Sequence, residues 1–544
     1  METTDFLLGL CALLVSLAVY CHIKAFSFWK ERGLPGPTPW PIFGTNIYYL
    51  FCNKIELDQR WRDKYGRTYG LYEGYSPVLR TTDSEVIKQI YVKQFQSFTD
   101  RNNTFVFGDN VRRWLFWTKG DLWANQRALV SPMFTASKMR SMVPIISESV
   151  QRLVNYIERL RNSTNTKQAV KLSKFDLSAL TLDVIASSFF GLKLDTYKTL
   201  SEPDEFINAA YNLADFNFPR FIVWLFMPRQ LAALLKFDIG NPKRFQYFDS
   251  LGQKIATERR KSASKRDDII QALIDAKLPE ERKEVFTTLD DKEAHYSASA
   301  GHKELESIQQ EQTRTAKHFR SFSDIEIRGQ ITFFFIAGFE TTASTISFAF
   351  HELAHQPKIQ ETILAELKDV FGHEGEKFFS NDPKKNYELL LDMKYLDAFI
   401  SEVLRIYSPL LEHSRMVTSK EGAVLNVNGK DIFLPTGVPI STNGFILQRD
   451  PEYFENPNEL RVERFFPENR DRVKTGTYMP FGLGPRYCVG MRLALSEVKF
   501  AIAEILLRYE IIPVENGEYP PRFKQNTVFL QYHNTQFKLV PRKG

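Results

Sequence analysis

Two short segments hold residue types that core packing alone does not require. In Phe481-Gly482-Leu483-Gly484-Pro485-Arg486-Tyr487-Cys488-Val489-Gly490 a cysteine lies in a loop broken by glycine and proline, directly before a helical pattern that starts near Met491. A helix N-terminus puts positive potential on the sulfur, and Gly482, Gly484 and Gly490 let backbone amides approach it, so both favour thiolate over thiol. The plain alternative is a buried structural cysteine. The chain has 4 cysteines, at 11, 21, 52 and 488. That pattern suggests no disulfide framework and leaves Cys488 alone in the C-terminal half. The second segment, Ile336-Ala337-Gly338-Phe339-Glu340-Thr341-Thr342, sets an acid and two hydroxyls inside a long apolar helix. Such groups are costly there unless they serve something. The Thr341 hydroxyl can bond back to the Ala337 carbonyl, bend the helix and open a groove that holds water, with Gly338 leaving space for a small ligand. The plain alternative is a packing helix with back-bonded threonines.

The spacing FxxGxRxCxG around Cys488 resembles the haem-binding loop of the cytochrome P450 family, and three other segments resemble that family in the right order. The resemblance implies haem b (iron protoporphyrin IX) with Cys488 as axial ligand, in a loop shaped by Phe481, Gly482 and Gly490. A thiolate on haem iron favours O–O cleavage. Trp123 and Arg127 stand one helical turn apart and can reach one acidic group. The resemblance assigns them, with Arg415 and Arg486, to the haem propionates, which are too costly to bury unpaired. Glu402-Val403-Leu404-Arg405 matches the family's ExxR helix, and Arg464 matches the arginine completing its ion-paired triad, a structural role. Val462 replaces the proline of the family's Pro-Glu-Arg-Phe, and Tyr407-Ser408-Pro409 departs from its Tyr-Pro-Pro. Neither change removes a charge. The acid and threonine segment resembles the dioxygen-binding helix, with Thr341 hydrogen-bonding the oxygen and Glu340 relaying protons from solvent.

These residues need a scaffold. Apolar residues three and four apart run through Val143 to Leu160, Leu177 to Phe190, Ile325 to Ala354, Tyr395 to Arg405 and Met491 to Arg508, which predicts helices. Strand-like runs are short, near Tyr69 to Tyr72, Val424 to Asn428, Val438 to Ser441 and Phe529 to Leu539. The expected architecture is mainly α with a minor β region. By resemblance it is the P450 fold, with haem between the dioxygen-binding helix and the helix after the cysteine loop. From Phe6 to Ile23 no residue is charged, 18 positions that span about 27 Å as a helix, enough for a thin endoplasmic-reticulum bilayer. Glu2 and Asp5 precede the run while Lys24, Lys30 and Arg32 follow it, so the rest of the chain is expected in the cytosol. The acidic start and the lack of a small-x-small site argue against a cleaved signal. Residues 1–32 are thus read as anchor and flank, 33–41 as a proline-rich hinge, and 42–544 as the catalytic domain with a polar surface insertion at about 279–320. The sequons at Asn102 and Asn162 would face the cytosol and carry no glycan.

Lys plus Arg at 71 against Asp plus Glu at 65 leaves +6 over 544 residues, too little for a nucleic-acid footprint. No Gly-rich dinucleotide fingerprint or Walker loop is present, so electrons come from a partner. By resemblance that partner is the membrane-bound NADPH-cytochrome reductase, with cytochrome b5 as a candidate second donor. Lys119, Lys138, Arg140 and Arg492 are candidate contacts, although a solvated charge is the plainer reading of each. Aromatics at Phe105, Phe107, Trp114, Phe116 and Trp117, and again from Phe216 to Met227, fall where the resemblance places substrate-pocket and membrane-facing loops, although core packing explains many of them equally well; the apolar run Phe221 to Met227 can dip into lipid, and a lipophilic substrate is implied. The overall likeness is to insect microsomal members that oxidise foreign chemicals or hormones. Two other classes stay open: a haem-thiolate isomerase of peroxides that needs no reductase, and a haem-binding carrier or sensor.

Overall fold

The computed structural model describes residues 23–102, 109–163, 169–198, 200, 205–211, 223, 235, 242–262, 265–266, 268–276, 321–372, 375–524, 529–533 and 536–542. The apolar run 6–22, most of 216–227, Phe105, Phe107 and the 279–320 insertion lie outside the described residues.

Helices carry the body. The principal ones are α1 (Lys54–Tyr65), α2 (Gly120–Val130), α3 (Ala136–Ser163), α4 (Lys174–Phe190), α5 (Pro242–Lys261), α6 (Asp324–His355), α7 (Pro357–Phe371), α8 (Lys394–Ile406) and α9 (Met491–Arg508). In α3 the apolar spacing seats Met139, Met142, Val143, Ile146, Val150, Leu153, Val154 and Ile157 in the core. Capping boxes start α4 at Ser173 with Asp176 and α6 at Ser323 with Glu326, and Gly191 ends α4 with φ +60°. Because α6 is apolar on nearly every face, it runs through the centre against α4, α5 and α9. Among the described residues it is long and apolar enough to cross a membrane, but 72% of its most apolar stretch is buried in the protein, as befits a core helix.

Three small sheets flank this bundle. β1 (Thr68–Glu73), β2 (Ser76–Thr81), β7 (Pro439–Asn443) and β4 (Glu412–Met416) form one in the order β1-β2-β7-β4, with β2 and β7 parallel. β5 (Ala423–Val427) and β6 (Lys430–Leu434) form a hairpin closed by Asn428 and Gly429, both at positive φ as its tight turn requires. β3 (Val170–Ser173), β9 (Gln536–Pro541) and β8 (Tyr509–Pro513) make the third.

The five predicted helices are present, α3 extended to 28 residues. β2, β3, β4, β6 and β8 escaped the sequence reading because they are short and no periodicity records pairing. The predicted terminal strand begins late, at Gln536, with isolated bridges at Phe529 and Tyr532 before it. The proline-rich segment runs extended but docked: Leu34 is buried, the Gly70 amide donates to Pro35 O at 2.9 Å, and a Cβ at Gly36 would lie 2.1 Å from Gly70 O.

Candidate active site

The loop before α9 is built by backbone contacts. Gly482 and Gly484 take φ +79° and +70°, and a Cβ on Gly484 would sit 1.8 Å from Tyr91 O, so no side chain fits there. Gly490 caps α9 at an ordinary φ. The Cys488 amide donates to Phe481 O at 2.8 Å, closing the loop. The sulfur keeps accessible surface and borders a crevice lined by Ser131, Phe134, Tyr487, Val489, Met491 and Arg492. Surrounding chain nonetheless dominates its ionisation. Burial pushes the thiol up, and the Gly490 amide and the Arg127 and Arg101 charges only partly oppose it. The amide and the charges act in the direction expected from the loop, towards thiolate, and desolvation acts against them.

Around this loop the chain gathers four guanidinium groups. Arg486 lies over the Trp123 ring at 4.2 Å and donates to Thr118 O at 2.8 Å, with Asp100 at 3.5 Å. Arg415 lies over Tyr91 and donates to Leu483 O at 3.3 Å, while Arg127 donates to Tyr487 O at 3.1 Å. Arg101 donates to the carbonyl of Arg486 at 3.1 Å. Burial lowers Arg415 to about 10, and burial joined by repulsion from neighbouring arginines lowers Arg101 to about 9 and Arg486 well below the usual arginine range. The Nε atoms of Arg127, Arg415 and Arg486 and Nη1 of Arg486 are buried without a partner. Crowded cations with orphaned donors are the arrangement a buried dianion needs, so these residues fit haem propionates.

Trp123, Arg127, Arg415 and Arg486 are thus brought together as the sequence reading expected, although Trp123 serves as a platform for Arg486. Arg101 and His413 escaped that reading. Arg101 arrives through the Asp100 bridge to Met416, a distant pairing that no local spacing announces. His413 stands against Gly482 and Gly444 with Nε2 unpartnered, and burial with the Arg101 and Arg415 charges lowers it to about 3.

Glu402 and Arg405 form a doubly hydrogen-bonded pair at 2.7 and 2.8 Å with both side chains fully buried, and Arg464 Nε joins Glu402 at 3.2 Å. Arg405 also donates to Gln448 O at 2.7 Å, and Gln448 Oε1 accepts from the Met479 amide at 2.8 Å. The Met479 carbonyl in turn accepts from the Gly482 amide at 2.9 Å. A continuous path of hydrogen bonds therefore ties the triad to the cysteine loop.

On α6, Thr341 Oγ1 donates back to Ala337 O at 2.6 Å, as expected, and Thr345 repeats the pattern on Thr341 O at 2.9 Å. Glu340 is buried and paired with Lys174, the first residue of α4. The space expected beside Gly338 for a small ligand belongs to α4 instead: a Cβ there would meet Ile185 Cδ1 at 2.3 Å. Further along, His351-Glu352-Leu353-Ala354-His355 has the spacing of a zinc-binding helix. Geometry opposes that role. The two rings pack at 4.5 Å, Glu352 bonds Tyr407 and Tyr519, and among the described residues no three His, Cys, Asp or Glu converge on a metal position.

Of the expected docking cations, Lys119 is exposed and Arg140 is exposed but paired with Glu388, whereas Arg492 is buried on the crevice wall. Trp114 is buried and packs with Phe116 against Phe333 of α6.

A family model described as Cytochrome P450 matches residues 34–539. The chain is similar to "Cytochrome P450 3A1" of Rattus norvegicus, 29% identical over 539 residues that cover 98% of this chain and 96% of that protein. It is similar also to "Cytochrome P450 3A11" of Mus musculus, 29% identical over 525 residues, 95% and 93%. With "Cytochrome P450 3A12" of Canis lupus familiaris it is 30% identical over 544 residues, 98% and 95%. These relatives are vertebrate proteins, whereas the sequence reading leaned towards insect ones.

Proposed function

The chain belongs to the cytochrome P450 family, as a haem-thiolate monooxygenase of lipophilic small molecules with electrons from an NADPH-dependent reductase, and from that premise we propose which residues do the work. Cys488 ligates the iron. Arg127, Arg415 and Arg486, with Trp123 beneath Arg486 and with Arg101 added by the geometry, hold the propionates. Phe481, Gly482 and Gly490 shape the loop, while Glu402, Arg405 and Arg464 keep it in place through Gln448 and Met479. The observation that carries this reading is the surplus of buried, partly unpartnered guanidinium around the Cys488 loop.

Bound haem supplies a redox iron at which dioxygen is activated, with a sulfur ligand that favours O–O cleavage. The residues of the chain then govern protons and water. Thr341 holds its hydroxyl proton on Ala337 O and can turn it into the groove. Glu340 moves protons inward from solvent. The net reaction consumes one dioxygen, two electrons and two protons per hydroxylated product and water. The reductase meets the crevice side, where Lys119 is exposed, and cytochrome b5 is a second donor on that face. Residues 1–32 anchor the enzyme in the endoplasmic-reticulum membrane with the body, 42–544, facing the cytosol. Their composition and flanking charges support this.

The holoenzyme with reductase, NADPH and isotopically heavy dioxygen tests the reading on a panel of alkoxycoumarins, steroids and fatty acids. One heavy oxygen atom per product, dependent on NADPH, is expected. Rearrangement of a lipid hydroperoxide without reductase, and no label in any product, would instead support the isomerase reading.

A further inference from the structure

The carboxyl of Glu340 is held through one oxygen. Lys174 donates from Nζ to Oε1, and Gln531 donates from Nε2 to the same atom at 2.9 Å. Among the described residues no donor reaches Oε2. The Lys174 side chain keeps 17% of its surface accessible against 8% for Glu340, so the Lys174 end of the pair is the more open to solvent. The donors come from α4 and from the segment before β9. Thr181 of α4 fixes the same stretch of α6 by donating to Phe339 O at 3.1 Å.

We infer that Lys174 and Gln531 are positioning residues for proton delivery: they clamp Oε1 of Glu340 and leave Oε2 as the oxygen that exchanges protons. The inference rests on the reading of Glu340 as the proton relay. Lys174 gives this buried carboxyl a charged donor from a neighbouring helix. A second donor from another element fixes the side-chain torsion, which one flexible ammonium does not. Each proton that Glu340 gives up is replaced from water at the Lys174 edge. Without the clamp the carboxyl is misplaced, and dioxygen leaves as hydrogen peroxide after taking two electrons and two protons without forming product.

The test uses the holoenzyme with reductase and the probe that gives labelled product above, reading product per NADPH, peroxide release and the solvent deuterium isotope effect. Lys174→Met is expected to lower product per NADPH roughly tenfold, less than the full cost of misplacing a catalytic group. Peroxide release and the isotope effect rise with it. Lys174→Arg restores most of the coupling, Gln531→Leu shows a smaller loss in the same sense, and Lys174→Met adds nothing in a Glu340→Gln background. Wild-type coupling in Lys174→Met and Gln531→Leu, while Glu340→Gln uncouples, overturns the clamp alone. Wild-type coupling in Glu340→Gln overturns the relay reading, and the clamp with it. If Lys174→Met loads no haem, Gln531→Leu, which removes no charge, decides.

Discussion

At the scale of single residues, Arg415 carries two opposed effects. It is fully buried, and its charge raises the cost of Arg101 and Arg486 nearby. The same charge is what a propionate needs. Arg415→Leu should therefore leave the haem-free protein at least as stable as wild type, while weakening haem retention by about 1.5–3 kcal/mol, the worth of a hydrogen bond to a charged group. Haem transfer to a scavenging globin, measured beside thermal unfolding of the apoprotein, checks both halves, and wild-type retention would remove Arg415 from the propionate site. Glu352 is a second case. Burial pushes it up to about 7, against the Tyr407 and Tyr519 hydrogen bonds that pull it down. The folded protein thus keeps this proton where the unfolded chain, with a carboxyl near about 4.3, has lost it. The stability it contributes is full below about pH 4 and is lost as pH rises to about 7, amounting to roughly 4 kcal/mol. Glu352→Gln, which mimics the neutral acid, should flatten that slope in denaturant titrations between those limits; an unchanged slope would place the pH dependence elsewhere.

At the scale of elements, the close approach of α4 to α6 is the contact that a single methyl group tests. Gly338 and Ile185 make that approach, and Lys174 at the start of α4 reaches Glu340. Gly338→Ala should push the helices apart and cost about 1–3 kcal/mol, as overpacking does. Ile185→Ala in the same chain should recover part of that loss, a non-additive pair visible in thermal unfolding of the holoenzyme. Strict additivity would show that the two positions do not share the contact. The sequence displayed α4 and α6 as periodic helices but could not display their facing, so Gly338 was read as space for a ligand. Periodicity gives the buried face of a helix and not its neighbour.

At the scale of the whole molecule, legibility followed locality. The cysteine loop, the ExxR pair and the acid and threonine pair lie within single segments, and each was readable from residue types at fixed spacing. Arg101, His413, Lys174 and Gln531 reach their places through long-range strand pairing and helix packing, and their local sequence has nothing distinctive. The opposing pulls on Cys488 divide in the same way: glycines and a helix start are visible in sequence, whereas burial, which pushes the thiol up, is a property of the assembled fold. The account as a whole depends on sulfur ligation of iron by Cys488. The most direct test is the difference spectrum of the reduced protein with carbon monoxide, for wild type and Cys488→Ser. The thiolate-type band should be present in the wild type and absent in the variant; a variant that keeps the band, or a wild type that never shows it, would contradict the assignment.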